Sequence, residues 1–128
     1  LNFILSQQTQ YRWGGAADEK QGLDCSGFIF LAARRAGMPV RRTTSRGMAE
    51  GDGGWTGVGL SREASNRLDL CFWTFSGRRP HGHVGVLYRD REHVTHSTAR
   101  RGVTIDRVEG RLAEKLSRII RLTVGEKQ

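Results

Sequence analysis

The spacing of hydrophobic residues changes midway along the chain, from helical in the first half to alternating in the second. Leu1, Ile4 and Leu5 fall at helical spacing and predict a short N-terminal helix within residues 1–10. Tyr11-Arg12-Trp13-Gly14-Gly15 breaks it, and a polar stretch over 16–22 leads to Asp24, a helix-capping residue type. The strongest helical pattern follows over 25–36, with Phe28, Ile29, Leu31, Ala32 and Ala36 on one side. Gly37 is a stop, and Pro39 lies past the end. A second short helix is expected over 43–51. Residues 51–66, GDGGWTGVGLSREASN, read as a long glycine-rich loop.

From Leu68 onward the segments are short, β-branched or alternating, and separated by turn formers. Leu70–Phe75, His83–Tyr88, His93–Ser97 and Val103–Asp106 read as strands, and 118–124 (RIIRLTV) as a closing one. Helices first and an antiparallel meander afterwards predict an α+β domain. No internal repeat interrupts this order, and 128 residues make one domain spanning 1–128.

Composition narrows the partners more than the fold. Hydrophobic residues are 37% and charged residues 27% of the chain, an ordinary globular balance. The excess of 21 Lys+Arg over 13 Asp+Glu, a net charge of +8, points to an anionic partner: nucleic acid, an acidic membrane surface or an anionic cell-wall polymer. The basic residues are scattered pairs such as Arg34-Arg35, Arg41-Arg42, Arg78-Arg79 and Arg100-Arg101. They do not interleave with aromatics, so no dedicated nucleic-acid motif is visible. No apolar run reaches the length of a membrane span. The chain opens on Leu1 without a signal peptide or initiator Met, as expected of a trimmed or mature form.

The two cysteines have different settings. Cys71, in Leu70-Cys71-Phe72-Trp73, reads as a strand interior, and nothing resembles a disulfide framework. Cys25 stands between a glycine-containing loop and the start of the predicted helix. There, free backbone N–H groups and the helix dipole favour a thiolate; the alternative is a small core hydrophobe. A nucleophile needs a base and an orienting partner. His81, His83, His93 and His96 all lie in the strand half. A hairpin turning near Asp90 brings His83 and His96 together, while the odd offset puts His93 on the opposite face from His96. Asp69 and Asp106 are alternative orienting acids, although each sits at a strand end and reads as an ordinary surface charge. His81, His83 and His96 as a zinc site is a further alternative, which leaves Cys25 unexplained. Tyr11 and Trp13 read as packing residues, or, for Tyr11, as a donor to an oxyanion beside the Cys25 N–H.

Taken together, Tyr11-Arg12-Trp13-Gly14-Gly15, Asp24-Cys25-Ser26-Gly27, Asp69-Leu70, His83-Val84-Gly85-Val86, His96-Ser97 and Gly102-Val103 stand in an order that resembles the NlpC family of bacterial cell-wall cysteine peptidases, over about residues 1–124. The resemblance implies a papain-like fold, with helices packed on a small antiparallel sheet, and hydrolysis of peptidoglycan stem peptides. The implied bond is the one from γ-D-glutamate to meso-diaminopimelate. It implies Cys25 as nucleophile, His83 as base and His96 as the orienting third residue, with Tyr11, Asp24 and Ser26 lining the substrate cleft. No metal or other cofactor is implied. The expected protein is a monomer that is secreted, periplasmic or wall-associated, including phage-borne or delivered forms. An amidase cutting between sugar and L-alanine, and a non-catalytic wall-binding module, are the rival readings. The chain departs from the family pattern at Leu68, where glycine is common, at Ser97, where alanine is common, at two extra residues in 38–44, and in the 51–66 loop. That loop is expected at the cleft wall, where it would influence which stem peptide is accepted.

Overall fold

The computed structural model describes residues 24–123. The expected N-terminal helix, the Tyr11–Gly15 break and the end of the closing strand at 124 lie outside them. Asp24 has extended backbone, and its carboxylate accepts the Gly27 N–H at 2.5 Å, which starts helix α1 at Cys25–Arg35. The helix ends as predicted. Gly37, at φ +85°, allows its own N–H to reach Arg34 O and the Met38 N–H to reach Ala33 O, both at 3.0 Å. Thr44 caps the shorter α2, Ser45–Ala49, through the Gly47 N–H at 3.0 Å.

Six antiparallel strands follow: β1 Gly57–Gly59, β2 Leu70–Trp73, β3 His83–Leu87, β4 His93–Thr98, β5 Gly102–Arg107 and β6 Leu116–Leu122. A one-turn helix, α3 at Arg111–Glu114, joins the last two. Their spatial order is β1-β6-β2-β3-β4-β5. Every predicted strand is present. The 51–66 segment, expected as loop, carries a 3-10 turn at Asp52–Gly54 and edge strand β1, which pairs with β6.

The sheet is covered on both sides. On one face Leu70, Phe72, Val84, Val86 and Ile120 pack with Phe28 and Ile29 of α1, and with Met48 and Trp55. On the other, Cys71, Trp73, Leu87, Val94 and Ile119 pack with Val108 and Leu112. Double coverage explains why β2 reads as an unbroken apolar run, since all four of its residues are buried. Phe28, fully inaccessible to solvent, ties α1 to the sheet; a buried side chain of that size contributes about 1.5–3 kcal/mol.

Two acidic side chains depart from the surface positions expected of them. Asp69 is not a surface charge: it is buried, held by Nε and Nη2 of Arg121 at 2.9 Å each and by the Asn66 N–H at 2.8 Å. Asp106 is not one either, as its partners below show. Leu68, where the resemblance leads one to expect glycine, has φ +76°, a left-handed backbone that glycine adopts without strain.

Candidate active site

Cys25 is the first residue of α1, and its Sγ approaches Gly82 O at 3.9 Å, just before β3 begins at His83. The capping that starts the helix therefore also aims the thiol. Asp24 is clamped by the Arg42 guanidinium, whose Nη2 lies 3.2 Å from both carboxylate oxygens, while Arg42 Nη1 donates to Ser26 Oγ at 2.8 Å. Asp24 and Ser26 are both buried and line a cavity with Cys25, Arg42 and Ser45. Their visible work is to fix the helix start. In the sequence Arg42 is one of many scattered arginines, and nothing local marks it.

His83 and His96 meet as the strand geometry predicts. The β3–β4 register pairs Val86 with Thr95 and Leu87 with Val94, which sets His83 and His96 on one face. His83 Nε2 lies 2.8 Å from His96 Nδ1. Gly85 makes this possible: a Cβ there would come within 2.6 Å of Val94 Cγ2 and 3.0 Å of His96 Cβ. Trp73 pairs with His83 across β2–β3, and its ring lies 5.5 Å from the His83 ring and 6.1 Å from that of His96. Phe75 packs on His83 at 5.7 Å. This aromatic bed had a faint signal in the sequence, since Trp73 is an even step from strand residue Cys71.

The chain of hydrogen bonds continues beyond the histidines. His96 Nε2 lies 2.8 Å from Asp106 Oδ2, which also accepts from Arg101 Nη2 at 2.5 Å. Burial pushes the Asp106 carboxyl up, but the bonds from His96 and Arg101 outweigh it and leave the group below its ordinary value. An ionised Asp106 must accept, so His96 carries its proton on Nε2 and offers Nδ1 as acceptor. His83 then donates from Nε2, which leaves its Nδ1 with a free lone pair. Asp106, which reads as a surface charge in the sequence, thus selects the tautomers of both histidines.

The other histidines stay outside this chain. His81 turns its Nδ1 to Ser117 Oγ at 2.7 Å, so it does not converge with His83 as a zinc pair would. His93 is bound to Asp90 at 2.9 Å.

Cys25, His83, His96 and Asp106 line one open cavity of about 830 Å³. Burial raises the Cys25 thiol above its ordinary value, against the opposing Val84 N–H, and the charge of Asp24 adds to the rise. Burial, reinforced by His96, lowers His83 to about 3. Burial thus works against charge on both groups and opposes the thiolate that the helix start favours. Cys71 is a packing residue, with burial pushing its thiol up to about 12. Among the described residues, those that line these cavities with Cys25 do not come from 51–66. β1 lies three strands from β3, at the far edge of the sheet.

The fold and the chain have known counterparts. An NlpC/P60 family protein from Bacillus cereus is 24% identical with a TM-score of 0.73; the similarity covers 94% of this chain and 39% of that one. The NlpC/p60 domain of the peptidoglycan hydrolase SagA is 22% identical with a TM-score of 0.66, covering 93% of this chain and 96% of that one. The peptidoglycan hydrolase RipB from Mycobacterium tuberculosis is 21% identical with a TM-score of 0.67, covering 94% and 63%. The present chain thus spans well under half of the Bacillus cereus structure. No curated protein matches it. The sequence model of the NlpC/P60 family matches residues 8–121. That match takes in the helix that carries Cys25 and the strands that carry His83, His96 and Asp106, and the chain belongs to the NlpC/P60 family.

Proposed function

We propose that this protein is a peptidoglycan hydrolase, a cysteine endopeptidase that cuts stem peptides at the γ-D-glutamyl–meso-diaminopimelate bond. The observation that carries the reading is the unbroken Asp106–His96–His83 hydrogen-bond chain, which ends on a ring sharing a cavity with Cys25. Family membership supports it, and two of the similar structures are of peptidoglycan hydrolases.

In this mechanism the Cys25 proton moves to His83 Nδ1 as Sγ attacks the amide carbonyl carbon. His83 acts as the general base at that step. Positive charge then develops on His83, and His96, polarised by Asp106, accepts its Nε2–H more strongly. The Cys25 N–H, at the open start of α1, donates to the tetrahedral oxyanion, with Tyr11 as the second donor that the family pattern suggests. His83 returns its proton to the leaving amine, the C–N bond breaks, and water then hydrolyses the thioester. Asp24 and Ser26 hold the helix start in register and flank the substrate. The site of action is the cell wall, reached by secretion or delivery.

Digestion of purified peptidoglycan, followed by mass spectrometry, tests this. Fragments with a new diaminopimelate N-terminus are expected. Release of stems with a free L-alanine N-terminus would replace the endopeptidase by an amidase, and no release would leave only a binding module.

A further inference from the structure

The cavity holding Cys25 and the two histidines is also lined by five arginines, Arg79, Arg100, Arg101, Arg107 and Arg111, against two carboxylates, Asp106 and Glu109. Both carboxylates are already engaged. Asp106 is bound by His96 and Arg101, and Glu109 by Arg107 at 3.2 Å. Arg111 lies over the Phe75 ring at 5.1 Å, and Phe75 in turn packs on His83, so this cation is held close to the base. Arg100 is exposed on the turn between β4 and β5, with no hydrogen bond or ion pair among the described residues. Among the described residues, positive charge thus collects around the thiol and the histidines, beyond what the acids lining that cavity neutralise.

We propose that this wall is a carboxylate subsite, in which Arg100 and Arg111 recognise a free carboxylate beside the scissile bond of the substrate. The inference rests on the endopeptidase reading and deepens it. The proposed substrate carries such groups on both sides of the bond, the α-carboxylate of γ-D-glutamate and the side-chain carboxylate of diaminopimelate. Guanidinium groups match a planar carboxylate through paired N–H donors, and an amide loses both the charge and one acceptor. The protein is therefore selective for stems in which that carboxylate is not amidated, and salt weakens the selection.

The test compares synthetic L-Ala-γ-D-Glu-meso-diaminopimelate with two analogues, one amidated at the glutamyl carboxylate and one at the diaminopimelyl side-chain carboxylate. Wild-type kcat/KM should favour the free acid by about tenfold or more at one of the two positions, which also identifies the carboxylate recognised. The Arg100→Gln/Arg111→Gln double variant should lose that preference through a raised KM for the free acid while melting as the wild type does. Equal cleavage of all three peptides by the wild type, or a preference retained by the double variant, overturns the subsite. If no peptide is cut, the endopeptidase reading fails separately. Binding of the same peptides to Cys25→Ala protein then decides the inference, and equal or undetectable affinities overturn it.

Discussion

Replacing Asp106 by alanine removes the acceptor of the His96 Nε2–H at 2.8 Å and of Arg101 at 2.5 Å. His96 is then free to move its proton to Nδ1, where it would face the Nε2–H of His83 and break the 2.8 Å bond between the rings. A hydrogen bond to a charged group contributes about 1.5–3 kcal/mol. Lost only in the transition state, where His83 is an imidazolium, that amounts to a fall in kcat/KM of about 10- to 100-fold. The released Arg101 charge disfavours the same imidazolium, so both consequences point the same way. The assay is kcat/KM on the defined stem peptide across pH for the wild type, Asp106→Ala and Asp106→Asn, each first checked by thermal melting. The asparagine oxygen can still accept from His96, so Asp106→Asn should recover part of the loss. A folded Asp106→Ala protein within twofold of the wild type would refute the assigned tautomers and the role of the acid.

Other perturbations reach the same structure from different sides. Gly85→Ala puts a Cβ 2.6 Å from Val94 Cγ2 and 3.0 Å from His96 Cβ; it should cost about 1–3 kcal/mol by urea denaturation and lower activity more than stability, whereas wild-type activity would show that His96 tolerates displacement. Stability should also fall on acidification. His83 titrates near 3 in the fold, and His96 is lowered too, against an ordinary value near 6.5, so the unfolded chain binds more protons below that value. Stability is full above about pH 6.5 and is lost towards pH 3, by up to about 1.4 kcal/mol per pH unit for His83 alone; urea midpoints that do not change between pH 7 and 4.5 would contradict the burial of these two imidazoles. Leu68→Gly should stabilise the protein by up to about 1 kcal/mol, because Leu68 is 55% exposed and held at φ +76°; a lower melting temperature would mean that its side chain contributes more than its backbone strain costs.

The parts of the molecule legible from sequence were those set by local periodicity. Helix α1 shows its cap, apolar face and glycine stop within fourteen residues, and the strand pattern around Asp90 is enough to set His83 and His96 on one face. What could not be read depends on distant partners. Asp106 looks like any strand-end carboxylate until β5 pairs with β4 and brings it to His96. Asp69 looks exposed until Arg121, from the last strand, closes over it. β1 is three residues long with two glycines, and all three are exposed, so no alternation marks it; only pairing with β6 makes it a strand. The desolvation of Cys25 belongs to the same class. Its place at a helix start is visible in the chain, but the burial that raises its thiol comes from the assembled cavity.

The central claim is that Cys25 attacks a stem-peptide bond. Its most direct test is mass spectrometry of the fragments released from purified peptidoglycan by wild-type protein and by Cys25→Ala protein with an unchanged melting curve. The account predicts diaminopimelate-terminated fragments from the wild type and none from the variant; equal release by the two would contradict it.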